Sequence, residues 1–264
     1  MRKISIYSGI STAYPFEERI SAIKAAGFDE VCLDFEEEML QTETSWENQV
    51  KTAYKYGLPV ENAHLTWRNA NSLWEKGELG DSVKNRVIDE LRRTKELGIR
   101  TGVVHITAGF QKPDTDFELG LKRFSDIAEN AEKFGIVAAF ENSVFSEHVR
   151  YLFNHLQSGY VGFCFDSGHE HAFTPNEDYL ASYGSRLAAM HLHDNDGKSD
   201  AHRIPFFGNI DWEKKVKELK NCPYFSDHIT LECTIDEYPN LSEGFEKAID
   251  SARRLCELAD TMTK

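Results

Sequence analysis

Polar, helix-like stretches alternate along the chain with short apolar runs, and a glycine repeatedly separates the two. The pattern occurs at Gly27 (KAAG-FDEVCLDF), Gly57 (YKYG-LPVENAHL), Gly98 (KELG-IRTGVVHI) and Gly135 (EKFG-IVAAFEN). A glycine just past a helix supplies the left-handed residue that closes the last turn, and a β-rich run then begins at once. The pattern predicts eight strands, near residues 3–7, 29–34, 59–64, 101–106, 136–141, 160–166, 187–193 and 228–233.

Apolar residues between these strands recur at helical spacing. The helix near 80–97 shows it best, with Val83, Val87 and Leu91 on one stripe and charged residues between them. The same spacing predicts helices near residues 15–26, 43–56, 80–97, 115–134, 145–156, 177–184, 211–220 and 241–258.

Strands that alternate with helices form a parallel sheet, and eight such units favour an α/β fold of the (β/α)8 TIM-barrel type. We expect one domain over residues 1–264, a length that can bury a sizeable core without disulfides. An open, doubly wound sheet is the alternative. It is disfavoured because no G-x-G-x-x-G follows the first strand, where the sequence reads SGISTAYPF.

Composition and charge restrict the class of partner. The 30 Lys and Arg residues against 44 Asp and Glu residues give a net charge of −14, which repels a phosphate backbone and makes nucleic acid an unexpected partner. No apolar run approaches the ~18 residues that cross a bilayer, and the opening MRKISIYSG lacks the apolar core of a signal peptide. Five cysteines without a C-x-x-C indicate reduced thiols in a cytoplasmic protein.

Ionisable residues collect at or just after the predicted strand ends, where TIM barrels place their active sites. These are His64, His105, Glu141, Asp166, His169, His191, His193, Asp194, Asp200, His202 and Glu232. The other four histidines, His148, His155, His171 and His228, fall on helices, a loop or a strand start, where core or solvated roles suffice.

Each of these side chains alone is compatible with a structural role, such as a hydrogen-bonded histidine or a helix cap. Burying the whole set without a cation would carry a large desolvation cost. Imidazole and carboxylate ligands suit Zn²⁺, Mn²⁺, Fe²⁺ or Co²⁺, and we therefore predict one divalent metal ion. Side chains of a strand repeat every two residues, so His191 and His193 share a face. One can bind metal deeper in the barrel while the other contacts substrate nearer the mouth.

Four sequence pieces, AAFENS, FCFDSGH, MHLHDNDGKSDAH and ITLECT, stand in this order at the predicted ends of strands 5 to 8. Together they resemble the xylose isomerase-like TIM-barrel superfamily, which includes sugar and sugar-phosphate isomerases and epimerases and the endonuclease IV-like AP endonuclease family 2. The isomerases and epimerases hold one metal with Glu, Asp, His and Glu from strands 5 to 8. The resemblance implies the metal ligands Glu141, Asp166, His191 and Glu232. His193 is the reserve ligand, although the family pattern H-x-x-D favours His191, which Asp194 follows three residues later.

Endonuclease IV holds three zinc ions with further ligands, and this sequence has counterparts at His64, His105, His169, Asp200 and His202. The resemblance therefore leaves open a multinuclear site with two or three zinc ions and a phosphodiesterase activity. Two features oppose DNA repair: the net charge, and an acidic loop, Asp34-Phe35-Glu36-Glu37-Glu38, where the DNA-binding enzyme has basic insertions. The turn after strand 7 reads PFFGN instead of the usual P-G-x-G, which weakens the expectation of phosphate contacts there.

The main hypothesis is an isomerase or epimerase of a small sugar or sugar phosphate. Such an enzyme removes a proton next to a carbonyl, and the metal stabilises the enediolate that develops. Glu141 and Glu232 resemble the carboxylates that exchange this proton in ketose 3-epimerases while also binding the metal. The expected substrate contacts are His64, His105, His169, His193, His202 and Trp67. Trp67 is equally compatible with loop packing, and His64, His105 and His202 with supporting the metal ligands.

Two other functions fit the same residues. The superfamily also holds dehydratases that use the same chemistry, and the chain is also compatible with a sugar-binding relative without turnover. No glycine-rich phosphate cradle is visible, which mildly favours an unphosphorylated substrate. The resemblance implies a homo-oligomer, since sugar isomerases of this type are commonly dimers or tetramers.

Overall fold

The computed structural model describes residues 2–36 and 45–262. Its eight strands are β1 (Lys3–Tyr7), β2 (Glu30–Asp34), β3 (Val60–His64), β4 (Thr101–His105), β5 (Val137–Glu141), β6 (Val161–Asp166), β7 (Leu187–His191) and β8 (His228–Leu231). All eight predicted strands are present. The largest difference is at β7 and β8, which end two residues earlier than the apolar runs predicted.

Nine α-helices lie in the described part of the chain. They are α1 (Phe16–Ala26), α2 (Trp46–Lys55), α3 (Glu78–Glu96), α4 (Phe117–Phe134), α5 (Ser146–His155), α6 (Ser167–Phe173), α7 (Tyr179–Tyr183), α8 (Trp212–Leu219) and α9 (Leu241–Thr261). The sequence pattern did not predict α6. Its 7 residues, SGHEHAF, are too few to show a helical period, and the helix is begun by Asp166, whose carboxylate accepts the backbone N–H of His169.

The predicted glycine boundaries are confirmed. Gly27 and Gly135 end α1 and α4 with φ values of 99° and 68°, and Gly57 and Gly98 take positive φ values of 70° and 84°. These values lie in the left-handed region that only glycine enters at little cost. The chain can therefore leave each helix and enter the next strand within one or two residues.

The strands form one parallel sheet in the order β7-β6-β5-β4-β3-β2-β1-β8, so each strand neighbours the next one in the sequence. The two outer strands meet at a single bridge between Leu192 and Leu231. Two backbone hydrogen bonds hold this seam: Leu192 N–H donates to Thr230 at 3.0 Å, and Glu232 N–H donates to Leu192 at 3.2 Å. The chain is thus a nearly closed (β/α)8 TIM barrel, as predicted.

The interior of the barrel differs between its two halves. Inward side chains of β4 to β7 form a small apolar cluster of Val103, Ala139, Cys164 and Ala189. On the opposite side the inward positions are polar. The hydroxyl of Ser5 donates to Thr230 at 2.8 Å, and the thiol of Cys32 donates to Asn62 at 2.5 Å.

An acidic cluster lies at the amino-terminal ends of these polar strands. The carboxylate of Glu61 accepts hydrogen bonds from Tyr224 and Asn62. The Nδ1 atom of His228 lies 3.3 Å from Glu30, whose other carboxylate oxygen accepts from Lys3 at 2.5 Å. Burial, together with the charge of Glu30, raises the pKa of Glu61 to about 7.

Among the described residues, no helix combines the length and the apolar character that crossing a bilayer requires.

Candidate metal centre

The carboxyl ends of the strands bring the predicted ionisable residues to one end of the barrel. His64, His105, Glu141, Asp166 and His191 are the last residues of β3 to β7, and Glu232 follows β8 by one residue. The register pairs neighbouring members directly, with His105 opposite Glu141 and Asp166 opposite His191. Consecutive strands therefore present these side chains side by side.

A central group consists of Glu141, Asp166, His191 and Glu232, all of them buried. One candidate ligand atom from each of the four lies within 4.8 Å of those of the other three. The Nδ1 atom of His191 is 3.3 Å from Glu141 Oε1 and 3.1 Å from Glu232 Oε2. Three carboxylates and one imidazole nitrogen thus converge on one point.

The hydrogen bonding of His191 is what a metal ligand requires. Although its side chain is fully buried, neither ring nitrogen has a hydrogen-bond partner of good geometry, and the same holds for Glu141 Oε2. A buried imidazole left unpaired in this way is costly. A cation beside Nδ1 of His191 would give that nitrogen and the Glu141 and Glu232 carboxylates a partner, so the residues present fit a divalent metal.

The pKa values of His191 and Glu141 also indicate that the cluster favours positive charge. Burial opposes a charged imidazole at His191, but Cys164, Glu232 and Glu141 outweigh it and raise the pKa of His191 well above its usual value. Burial likewise disfavours a charged Glu141, but His105 and His191 hold the pKa of that carboxyl well below its usual range. A bound metal would replace the protons that now balance the carboxylates.

A second group contains His64, His105 and Glu141. His64 Nε2 is 3.0 Å from His105 Nε2, and Glu141 Oε2 is 3.1 Å from His105 Nε2 and 3.6 Å from His64 Nε2. Burial lowers the pKa of His64, but the neighbouring Glu141 raises it above its usual value overall. Glu141 therefore belongs to two groups at once.

A third group contains His169, Asp200 and His202. The Oδ2 atom of Asp200 is 3.2 Å from the Nε2 atom of each histidine. Despite burial, Asp200 raises the pKa of His202 to about 9, and the two histidines lower the pKa of Asp200. One carboxylate thus bridges two imidazoles at the edge of the site.

Three of these histidines share an orientation. The Nδ1 atoms of His105, His169 and His202 face the backbone carbonyls of Thr107, Asn142 and Glu232 at 3.3, 2.9 and 2.9 Å. Since a carbonyl only accepts, each Nδ1 carries the proton, which leaves Nε2 free to act as a ligand. Histidines that bind metals are commonly held by this kind of hydrogen bond.

His193 has a different position from the one expected for a substrate contact. Its fully buried ring stacks on that of His202, with centroids 4.0 Å apart and planes at 7°. Its Nε2 atom is 3.1 Å from both oxygens of Asp166. His193 does not line the cavity, because His202 and Asp166 occupy the space in front of it.

The sequence pattern did not predict the contacts of two supporting residues, Asn142 and Asp194. Asn142 exchanges hydrogen bonds with the backbone of Asp166, donating through Nδ2 at 2.9 Å and accepting through Oδ1 at 2.7 Å. The Asp194 carboxylate accepts four N–H donors, from the backbones of Asn195, Phe206 and Ile210 and from the indole of Trp212, at 2.7 to 3.0 Å. Both partnerships join distant segments.

Asp194 organises the loop that carries Asp200 and His202. The backbones of Asp194 and Arg203 exchange two hydrogen bonds, so the residues between them form a loop whose two ends are held together. A side chain at Gly208 would meet Asp194 Oδ1 at 2.2 Å, which explains the glycine in PFFGN. Phe206 takes the left-handed φ of 74° and lies 3.8 Å from the Arg254 guanidinium.

A cavity of about 540 Å³ opens above the ligands. Five of the six predicted substrate contacts line it: His64, Trp67, His105, His169 and His202. Trp67 is 44% exposed, and its ring lies 6.1 Å from that of His105. In the acidic loop after β2, Glu36 accepts a hydrogen bond from Arg68 at 3.1 Å, whereas Glu37 and Glu38 lie outside the described residues.

The four histidines expected outside the site lie away from the cavity. His148 packs against Trp74 and its Nε2 is 2.9 Å from the Thr115 hydroxyl, His155 bonds the backbone of Tyr151, His171 bonds Asn209, and His228 pairs with Glu30. All four have structural partners and no place in the cluster.

Comparison with known sequences gives one family match and one extended relative. The model of the family described as "Xylose isomerase-like TIM barrel" matches residues 20–261. An uncharacterised protein of Sinorhizobium fredii is 29% identical over 217 residues, which cover 76% of this chain and 68% of that protein.

Solved structures share the fold at low identity. A D-tagatose 3-epimerase-like protein has a TM-score of 0.80 at 18% identity, with 98% of each chain covered. The IOLI protein with a bound zinc atom has a TM-score of 0.81 at 17% identity, covering 98% of this chain and 100% of that one. A fusion of a xylose isomerase-like barrel with a 4-hydroxyphenylpyruvate dioxygenase also matches, with a TM-score of 0.80 at 18% identity. It matches 98% of this chain, which spans only 43% of the fusion.

Proposed function

Because the chain belongs to the xylose isomerase-like TIM barrel family, we propose that it is a divalent-metal-dependent isomerase or epimerase of a small sugar or sugar phosphate. The observation that carries the proposal is the convergence of Glu141, Asp166, His191 and Glu232, with ligand atoms within 4.8 Å of one another. Two of the four, Glu141 and Glu232, line the cavity. The epimerase-like and zinc-bound structures with the same fold support the proposal.

The residues that would hold the cation are Glu141, Asp166, His191 and Glu232. When bound, the cation would act as a Lewis acid that makes the hydrogen next to a substrate carbonyl more acidic. The candidate cations are Zn, Mn, Fe and Co, and reloading the protein with each metal in turn distinguishes them.

Glu141 and Glu232 are the proposed acid and base. They reach the cavity from β5 and β8, and each is in contact with Nδ1 of His191. One carboxylate takes the proton from carbon, and the other returns a proton to the product.

The other cavity residues orient the substrate in this proposal. His169 and His202 carry their Nδ1 protons toward backbone carbonyls, so their Nε2 atoms face the shared carboxylate of Asp200. His193 is a positioning residue for Asp166, which it contacts at 3.1 Å.

A metal-dependence experiment tests this function. The protein is stripped with a chelator and reloaded with one metal at a time, and a panel of ketoses and their phosphates is followed for exchange of carbon-bound hydrogen with solvent deuterium. We expect exchange and isomer formation only in the loaded protein, with one metal equivalent sufficient. Metal binding without exchange on any ketose would contradict the isomerase and favour the alternatives of dehydratase or sugar-binding relative.

A second candidate function is a phosphodiesterase with two or three zinc ions. The observation that favours it is the shared orientation of His105, His169 and His202, which leaves ligand nitrogens beside Glu141 and Asp200. Titration of the stripped protein with zinc distinguishes the two functions. One equivalent for full activity supports the isomerase, and two or three with cleavage of a phosphodiester support the hydrolase.

A further inference from the structure

The cavity above the proposed metal ligands has two unlike ends. Its floor carries Glu141 and Glu232, whereas its mouth carries the aromatic rings of Trp67, Phe110 and Phe173. Phe110 is 71% exposed, and its ring lies 5.3 Å from that of Phe173. A substrate held at the floor would therefore extend toward an apolar, aromatic mouth.

The walls of the cavity lack the basic side chains that commonly hold a phosphate group. Among the described residues, no Lys or Arg lines it, while Glu141, Asp200, Glu232 and Asp236 do. The stretch 37–44, whose structure is not described, reads EEMLQTET and also contains neither Lys nor Arg. A phosphate ester would bring about two further negative charges beside these carboxylates. The histidines of the cavity are already paired with Glu141 and Asp200, so they do not offset those charges.

Two cations and one helix amino end near the mouth have partners within the protein. Arg68 contacts Glu36 at 3.1 Å, and Lys112 contacts Glu147 at 2.8 Å. The amino end of α6, which opens at the rim, is capped by Asp166, whose carboxylate accepts the N–H of His169 at 2.6 Å. These two cations and this helix amino end are thus committed within the protein.

The volume of the cavity also favours a substrate with an apolar part that reaches the mouth. Its volume of about 540 Å³ lies within the range of pockets that enclose drug-sized molecules, about 300 to 1,000 Å³. A monosaccharide at the floor would leave the aromatic mouth uncovered. Exposed aromatic rings beside a polar site commonly mark where an apolar part of a ligand binds.

We propose that the substrate is an uncharged polyhydroxylated ketone that carries an apolar substituent, and that it is not phosphorylated. The inference rests on the proposed function, because the metal ligands decide which end of the substrate reacts. The hydroxylated ketone lies against Glu141 and Glu232, and the apolar substituent lies between Trp67, Phe110 and Phe173.

Three probes that share the reacting end test this inference: D-fructose, D-fructose 6-phosphate and 6-O-benzyl-D-fructose. Their binding to the metal-loaded protein is followed by tryptophan fluorescence. Trp67 is the reporter because the other three tryptophans, Trp46, Trp74 and Trp212, are buried. The signal should be absent from Trp67→Phe. We expect the benzyl ether to bind at least tenfold more tightly than fructose, and the phosphate at least tenfold more weakly.

Phe110→Ser separates the aromatic mouth from general effects. It should bring the affinity ratio of benzyl ether to fructose to within about threefold of one. Phe207→Ser is the matched control, because Phe207 is also exposed, at 51%, but does not line the cavity. It should leave the ratio unchanged.

Several outcomes would overturn the inference. The first is that fructose 6-phosphate binds as tightly as fructose. The second is that the benzyl ether binds no more tightly than fructose, or that none of the three probes gives a fluorescence signal. The third is a Phe110→Ser variant that changes oligomeric state in ultracentrifugation but not the affinity ratio of benzyl ether to fructose. The last would assign the mouth to a contact between copies.

Deuterium exchange on the same probes distinguishes the proposed substrate class from the proposed isomerase function. Selective binding without exchange contradicts the isomerase but supports the substrate class, and exchange without selectivity does the reverse.

Discussion

A carboxylate oxygen of Glu141 lies within 4.8 Å of a carboxylate oxygen of Glu232, although the two residues come from strands at different parts of the barrel, β5 and β8. Both carboxylates also contact the same nitrogen of His191. Two buried carboxylates this close need a positive charge between them, and the pair is therefore both a cation site and a candidate acid–base pair.

We predict that Glu141→Gln and Glu232→Gln each lower kcat by about 100- to 10,000-fold, the usual contribution of a general acid or base. The double variant should lose little more than the more damaging single variant, because both carboxylates serve the same proton transfer. The measurement is kcat with bound metal quantified in the same samples. Glu147→Gln, whose carboxylate pairs with Lys112 at 2.8 Å outside the cavity, is the control and should keep full turnover. Full turnover in both cavity variants would exclude the two-carboxylate scheme.

His191 and His193 are expected to differ sharply as alanine variants. His191→Ala removes the proposed ligand and should leave the protein metal-free after desalting. His193→Ala removes a contact to Asp166 and the stacking partner of His202. It should weaken metal binding about 10- to 100-fold, the usual cost of losing a residue that supports a ligand. Metal content measured by elemental analysis decides between them. The opposite ranking of the two variants would make His193 the ligand.

Glu61 should make folding depend on pH. Its pKa of about 7 in the folded protein is higher than the unfolded value of about 4.3. The stabilising contribution of this carboxyl is therefore full below about pH 4.3 and is lost as the pH rises through 7. Glu61→Gln stays neutral and can still accept from Tyr224. We expect the variant to be more stable than the parent above pH 7, by about 1 to 3 kcal/mol.

The difference in unfolding free energy between Glu61→Gln and the parent, measured by urea titration from pH 4.5 to 8, checks this prediction. It should grow across that window. The control Glu129→Gln removes a carboxylate from the exposed face of α4. A difference for Glu61→Gln that stays flat across the same pH range would show that the acidic cluster is not a source of pH dependence.

Asp194→Asn should destabilise the loop that carries Asp200 and His202. An amide offers one acceptor oxygen, so two of the four N–H donors would face the amide nitrogen instead. We expect a loss of about 2 to 4 kcal/mol in the free energy of unfolding, given about 1 to 3 kcal/mol for each buried donor left unpaired.

Asp196→Asn is the matched control for Asp194→Asn, because Asp196 is on the same loop but only partly buried, and its carboxylate accepts the backbone N–H groups of Lys198 and Ser199. It should cost less than 1 kcal/mol, as surface changes usually do. Equal losses in the two variants by urea denaturation would contradict the role given to Asp194.

The positions of the strand ends explain why so much of the site could be predicted. Parallel strands place their carboxyl ends on one rim, so His64, His105 and Glu141 needed only the right strand boundaries to be assigned to one place. The glycines before β3, β4 and β5, at positions 57, 98 and 135, supplied those boundaries. The placement of the ionisable residues on one rim then follows from topology, whereas the choice of the four central ligands rests on the family resemblance.

What could not be predicted depends on partners far apart in the chain or on elements too short to have a period. Nothing local in the sequence shows that Asp194 binds the indole of Trp212, or that His202 covers His193 and keeps it from the cavity. The helix α6 depends on its cap, Asp166, which was assigned to metal binding alone. The spacing of apolar residues predicts which face of an element is buried, but it does not predict which distant residue packs against that face.

The seam between β7 and β8 has the fewest main-chain links in the barrel, and two proposed ligands flank it: His191 precedes Leu192, and Glu232 follows Leu231. Their side chains meet at 3.1 Å across the gap. An ion bound by both residues would link the two outer strands, so metal binding would also stabilise the closure of the barrel. Slower amide exchange at Leu192 and Glu232 would then serve as a gauge of occupancy that needs no substrate at all.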